Sequence, residues 1–234
     1  MRDTCFLFDV DGTLTDPCKR IDGAFSKYFE RWATFHHTYL VSGSKFSQIQ
    51  TQVGEHIINA CKGVFSCMGN EYWVGDALLY QNKLDLKSDV YDFLLSKLED
   101  SSWTVRSSPH FEERSGMLNF SILGRGASFE LRGAYKKWDD ANKERRSIAE
   151  EFNSKFSSKY NLEALVGGEI SLDIQQKGMD KGQIIKHLDY KKIIFFGDKC
   201  HEGGNDYALF SKADEGWSVK GWEETYSILK KSYP

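Results

Sequence analysis

The sequence predicts an α/β protein: a core with a parallel sheet, interrupted by an inserted α+β cap domain with an antiparallel sheet. Three observations carry this expectation. Apolar, β-rich runs alternate with helical patterns at both ends of the chain, and strands separated by helices pair in parallel. The middle of the chain has a different texture, with period-2 segments grouped together, as antiparallel pairing requires. The first apolar run, Phe6-Leu7-Phe8-Asp9-Val10-Asp11-Gly12-Thr13-Leu14-Thr15, ends in two aspartates two positions apart. Side chains at i and i+2 of a strand share a face, and open α/β sheets place their sites at the carboxyl ends of strands.

The elements follow in order. Cys5–Val10 reads as a buried strand, Ala24–His36 as a helix, and His37–Ser42 as a second strand with a helix opening near Lys45. Gly63–Gly69 is a third strand-like piece. The middle holds a helix near Ser88–Glu99, extended segments at Trp103–Ser107, Phe111–Glu113 and Met117–Ile122, one long charged helix over Asp139–Tyr160, and a segment at Glu169–Gln175. The opening style then returns: Lys192–Phe196 is a strand, a short helix follows, Trp217–Val219 is a strand, and a helix closes the chain near Trp222–Lys231. A core of residues 1–79 and 184–234 around a cap of 80–183 is therefore expected, and with three prolines in the chain no stiff linker is.

Composition narrows the class. The 234 residues are 40% hydrophobic and 28% charged, ordinary for a globular chain, and no apolar run approaches the roughly 20 residues needed to span a bilayer. A net charge of −3 offers no case for nucleic acid or an anionic membrane as partner. Residues 1–15 lack the two leading regions of a signal peptide, and the five cysteines are scattered without C-x-x-C spacing. A reducing, cytoplasmic setting is expected, without a disulfide framework or zinc. Asn119-Phe120-Ser121 matches a glycosylation sequon that this setting would leave unused.

The chemistry is expected at Asp9 and Asp11. Two carboxylates this close repel unless a cation or a shared proton holds them, and Mg²⁺ binds through one or two carboxylates plus substrate phosphate. That suggests phosphoryl transfer with an aspartate nucleophile. The D-x-D-G-T-L-T run after an apolar strand resembles motif I of the haloacid dehalogenase phosphotransferases, which implies a HAD-like Rossmannoid core. The resemblance makes Asp9 the nucleophile and Asp11 the general acid and base. Ser44, in the Ser42-Gly43-Ser44 turn, would bind phosphate, although a serine there equally suits a helix N-cap. Lys181 would neutralise the transferring group, although a lone lysine in a polar stretch is also what a solvated surface looks like. Gly197-Asp198 with Gly203-Gly204-Asn205-Asp206 resembles motif IV, so Mg²⁺ is expected on Asp9, Asp11 and Asp198, with Asn205 and Asp206 behind them.

The cap narrows the family. Spacing alone leaves Arg114, Arg125 and Arg132 open between scattered surface arginines and a phosphate clamp of guanidinium forks. The run Arg114-Ser115-Gly116-Met117-Leu118-Asn119-Phe120-Ser121-Ile122-Leu123-Gly124-Arg125, with Arg132 seven residues on, resembles the cap signature of eukaryotic-type phosphomannomutases. So does Gly167-Gly168-Glu169-Ile170-Ser171-Leu172-Asp173 followed by Gly178-Met179-Asp180-Lys181. With motif I, Val41–Gly54 and Gly197–Asp206, the likeness covers most of the chain. It implies that the three arginines, with Ser171 and Asp173, hold a sugar phosphate at its distal end. It implies interconversion of mannose 6-phosphate and mannose 1-phosphate, with glucose phosphates within the same chemistry, through an aspartyl-phosphate and a hexose 1,6-bisphosphate that also serves as activator. A cytosolic homodimer through the cap is implied as well. The alternative with the same core residues is a sugar-phosphate phosphatase, in which water reaches the aspartyl-phosphate. Two departures bear on that choice: Cys18 stands where the family carries the arginine of T-x-P-R, and Phe65–Asn70 lacks the family's P-E-N-G. Lys212 falls where an acidic ligand of the family's second cation site would be, so that site is not expected.

Overall fold

The computed structural model describes residues 2–234. The chain forms two compact units, one made of the residues up to Asn82 together with Gly178–Pro234, the other of Lys83–Lys177. The cap was expected over 80–183. The structural boundary on the carboxyl side falls earlier, so Lys181 sits in the core unit.

The core unit begins with β1 (Arg2–Phe8), α1 (Gly23–Phe35), β2 (His37–Val41), α2 (Phe46–Val53), α3 (Glu55–Ala60), β3 (Gly63–Ser66), β4 (Glu71–Val74) and β5 (Ala77–Gln81). Helix α1 starts because the Asp22 carboxylate accepts from the amides of Ala24 and Phe25, and it buries Phe25, Phe29, Trp32 and Ala33 along one stripe. The cap unit follows: α4 (Ser88–Asp100), β6 (Phe111–Arg114), β7 (Met117–Phe120), α5 (Phe129–Asn142), α6 (Glu144–Tyr160), β8 (Leu162–Gly167) and β9 (Ser171–Gln176). The core then resumes with a 3-10 helix at Lys181–His187, β10 (Tyr190–Gly197), α7 (Tyr207–Phe210), β11 (Glu215–Ser218) and α8 (Trp222–Ser232).

The core sheet runs β11-β10-β1-β2-β3-β4-β5. From β11 to β3 every pairing is parallel. Strands β4 and β5 add an antiparallel edge that the sequence pattern does not announce. Strand β1 is buried on both faces, which is why its sequence is a continuous apolar run. Phe6, Phe8 and Val10 pack with Phe29, Trp32 and Leu229 on one side, while Cys5 and Leu7 pack with Ile184 and Leu209 on the other. Burial of each such side chain contributes about 2 kcal/mol. The register puts Phe8 opposite both Phe196 and Leu40, so the loops after β1, β10 and β2 leave the sheet at one edge.

The cap sheet is antiparallel, in the order β6-β7-β9-β8. Leu118, Phe120, Leu172 and Ile174 pack against Phe93, Phe152 and Phe156 of the helices. Strand alternation turns Glu112, Arg114, Asn119 and Asp173 to the other face, where Glu112, Asn119 and Asp173 stand in one cross-strand row.

Further elements differ from expectation. The single helix Asp139–Tyr160 is two helices, because Lys143 adopts a left-handed conformation (φ 56°). A buried ion pair between Asp139 and Arg145 (2.8 Å) spans that break, a tertiary contact that local propensity does not encode. Trp103–Ser107 forms no strand; Ser107 instead donates to the Leu123 carbonyl (2.7 Å). Strand β8 and the start of α5 were not anticipated. Among the described residues no helix is long and apolar enough to cross a membrane, and all five cysteines are free thiols.

Candidate active site

Strand β1 delivers Asp9 to the carboxyl edge, where its amide donates to the Phe196 carbonyl (2.9 Å). Asp9 is buried, and the Lys181 ammonium donates to its Oδ1 while Thr13 reaches Oδ2 at 3.4 Å. Lys181 is fully buried and also donates to Asp206 Oδ1 (2.6 Å). The solvated-lysine reading is thereby excluded. Asp206 in turn accepts the Lys199 amide (3.0 Å) on its other oxygen, so it anchors both the lysine and the loop after β10. Asp198 comes from that loop and lies against Gly12: a side chain at Gly12 would bring its Cβ within 2.5 Å of Asp198 Oδ2, and the positive φ of 83° there also requires glycine.

Asp9, Asp198 and Asp206 each offer an oxygen within 4.8 Å of the others. Three carboxylates around one ammonium leave an excess of negative charge. Burial pushes the Asp9 carboxyl up to about 7, with Lys181 pulling it down and Asp206 and Asp198 pushing it further up. Burial likewise raises Asp198, with Asp206 adding and Lys199 opposing. Burial alone would discharge Lys181, but Asp9 and Asp206 outweigh it and hold the lysine above its ordinary range. Asp198 Oδ1 is buried without a hydrogen-bond partner. An orphaned carboxylate oxygen in an over-negative, all-oxygen cluster suits a hard divalent cation such as Mg²⁺.

Asp11 stands apart from this cluster. Its Oδ1 accepts from the Cys18 amide (2.7 Å) and Gln52 Nε2 (2.8 Å), and its Oδ2 from Ser44 Oγ (3.2 Å). Three donors hold its carboxylate, while Asp206 takes the place in the acidic trio that the sequence analysis assigns to Asp11. Ser44 does not cap α2, whose N-cap is Lys45; its hydroxyl serves Asp11. Cys18, exposed and left-handed (φ 60°), contributes its backbone rather than its side chain to this network.

In the cap unit, Arg114 and Arg125 converge on one carboxylate, that of Glu112, at 2.8 and 3.2 Å. Arg132 donates to the backbone carbonyls of Ala127 (3.0 Å) and Arg125 (2.5 Å), bracing the loop that carries Arg125. Burial lowers Arg125, and the neighbouring charges of Arg114 and Arg132 add to this. Asn119 donates to Asp173 Oδ1 (2.6 Å), and that carboxyl is raised by burial. Asn119 is only 2% exposed, so the sequon there is closed to glycosylation. Ser171 donates to the Gly167 carbonyl (3.2 Å). Arg145 ties the same turn down through the carbonyls of Gly167 and Gly168. The structure thus groups Arg114, Arg125 and Asp173 on one face and leaves the Arg132 guanidinium engaged with backbone.

Sequence reasoning missed Glu112, Gln52 and Thr13. Glu112 was legible, since period-2 alternation places it on the face of Arg114. Gln52 carries no local signal, because it reaches Asp11 only through packing of α2 against the loop after β1.

A buried aspartate beside a buried lysine and an acidic cluster, at the carboxyl edge of a mainly parallel sheet, matches the site that the haloacid dehalogenase resemblance implies. Solved structures agree on the fold. A haloacid dehalogenase-like hydrolase from Bacteroides thetaiotaomicron superposes with a TM-score of 0.63 at 13% identity, covering 97% of this chain and all of that one. The carboxy-terminal domain of trehalose-6-phosphate phosphatase from C. albicans gives 0.62 at 18% identity, covering 90% and 73%. The family model for eukaryotic phosphomannomutase matches residues 26–233. A phosphomannomutase of Spinacia oleracea is 34% identical over 94% of this chain and 91% of its own length. Phosphomannomutase 2 of Dictyostelium discoideum is 32% identical over 97% and 96%. The chain belongs to the eukaryotic phosphomannomutase family.

Proposed function

We propose that this protein interconverts mannose 6-phosphate and mannose 1-phosphate through an aspartyl-phosphate on Asp9 and a hexose 1,6-bisphosphate. The reading is carried by one observation above all: the chain holds two separate sets of charges suited to phosphate, one around Asp9 and Lys181, the other around Arg114 and Arg125. A mutase must hold two phosphates in turn, whereas transfer to water needs one.

In the proposed cycle, Asp9 Oδ attacks a phosphate of the bisphosphate and the bond from phosphorus to the sugar oxygen breaks. Asp11 protonates the departing oxygen, and in the reverse direction removes the proton from the accepting hydroxyl. Lys181 offsets charge on the transferring group, Ser44 turns its hydroxyl from Asp11 to bind it, and the arginines with Ser171 and Asp173 orient the far end of the sugar. Mg²⁺, when bound, would lie on Asp9 and Asp198 with Asp206 beside them, and would supply electrostatic stabilisation of the phosphoryl oxygens. Water must be kept from the aspartyl-phosphate for transfer to the sugar to win. A hexose 1,6-bisphosphate activator, a homodimer through the cap and a cytoplasmic location belong to the same reading.

The test is a coupled assay with Mg²⁺, mannose 1-phosphate and catalytic glucose 1,6-bisphosphate that follows mannose 6-phosphate and free phosphate together. Isomer well ahead of phosphate release is expected. Phosphate release with little isomer would replace the mutase by a sugar-phosphate phosphatase.

A further inference from the structure

We infer that Glu112 is the exchange partner of the arginine clamp, holding Arg114 and Arg125 whenever the distal phosphate is absent and yielding them to it on binding. The inference rests on the mutase reading for its role in turnover, but its geometry stands alone. One carboxylate oxygen, Glu112 Oε2, accepts from Arg114 Nη2 at 2.8 Å and from Arg125 Nε at 3.2 Å. A single oxyanion therefore already occupies the point at which two guanidinium groups converge.

The partial burial of the three groups decides what this does. Their side chains are 18%, 26% and 26% exposed for Arg114, Arg125 and Glu112, between a solvated surface pair and a buried one. In that range a charge stripped of its partner is costly, yet the pair itself can still part. A clamp of bare arginines would bind phosphate tightly and release it slowly, because release would leave like charges facing each other in a partly dry site. With Glu112 in place, both arginines stay paired before and after release, so binding and release become an exchange of one oxyanion for another.

The neighbours fit an exchange. Arg114 Nε is buried without a partner. Glu112 thus leaves donor capacity in the clamp that a phosphate, with its several oxygens, would take up. The cycle demands such a device. The bisphosphate formed in each turnover must leave the clamp and return with its other phosphate, so the distal site is emptied once per cycle and the grip cannot be maximal.

The test is Glu112→Gln, which keeps the length and one hydrogen-bond acceptor and removes the charge. On an Asp9→Asn background, which does not turn over, calorimetric titration with mannose 1-phosphate and Mg²⁺ reads affinity directly. We expect binding to tighten about 5-fold, the scale of one partly screened charge pair. With Asp9 intact, KM for mannose 1-phosphate should fall by a similar factor and kcat should fall with it, a split that a merely structural brace would not produce. Unchanged or weaker binding overturns the inference. Glu112→Met, similar in length and uncharged, repeats the measurement if the glutamine variant is unstable, and failure of both to fold would overturn it too by making Glu112 a structural brace. Tighter binding in an enzyme whose wild type makes no isomer would uphold the clamp and sink the mutase reading. Isomerisation without tighter binding would do the reverse.

Discussion

The charge clusters of the two units are built on opposite principles. In the core, Lys181 is fully buried between Asp9, just past the end of β1, and Asp206, at the start of α7. In the cap, Arg114 and Arg125 are partly exposed and share one carboxylate. Burial is the variable that separates them: a fully buried pairing is costly to break, whereas a partly exposed one can part more readily. On the proposed function, the first suits a nucleophile that meets phosphorus in one geometry and the second a clamp that changes partners.

Replacing Asp9 should break the core site most severely. Asp9→Asn is expected to lower kcat for isomerisation by at least about 1,000-fold, since an amide cannot form the acyl phosphate. Stopped assays for mannose 6-phosphate check this, and substantial residual turnover would remove Asp9 from the mechanism. Lys181→Met comes next. It leaves Asp9 and Asp206 as buried carboxylates without their cation, and urea unfolding in chelator should show a loss of about 3 kcal/mol. Part of that loss should return on adding Mg²⁺, which binds only the folded cluster. A variant as stable as wild type would contradict the buried pairing.

The cap is expected to answer more mildly and more selectively. Arg125→Ala should raise KM for mannose 1-phosphate by about 20-fold, the loss of one charge-assisted contact to phosphate. Turnover of a small phosphate ester, which has no distal group, should hardly change. Equal effects on both substrates would erase the contrast between the sites. The smallest effect is expected at Cys18→Arg. Its backbone amide, which holds Asp11, is kept, and the residue already lies in the left-handed region. A fall in KM of about 3-fold with kcat unchanged would show that a cation at this position reaches the substrate, on the scale of one exposed charge contact.

Much of the core was legible from sequence because its signals are local. A buried parallel strand is a continuous apolar run, so Cys5–Val10 and Lys192–Phe196 announced β1 and β10, and the aspartates at their ends announced the site. The long middle helix misled for the same reason. Charged residues with helical propensity run through Lys143 without interruption, and the break there is held by the ion pair between Asp139 and Arg145, a contact across the turn. Strands β4 and β5 escaped notice because β5 is an exposed edge with little alternation to read.

Strands that end in carboxylates, a lysine and a second aspartate motif further on, and three arginines in one stretch can all be read along the chain. How those groups pair is set by the packed fold. It assigned Asp206 to Lys181, Gln52 and the Cys18 amide to Asp11, and Glu112 to two arginines at once. The physical reason is range. Strand and helix periodicity are set by neighbours a few residues apart, whereas a charge takes its partner from whatever the packed fold brings within 3 Å, here across separations as large as the 172 residues between Asp9 and Lys181.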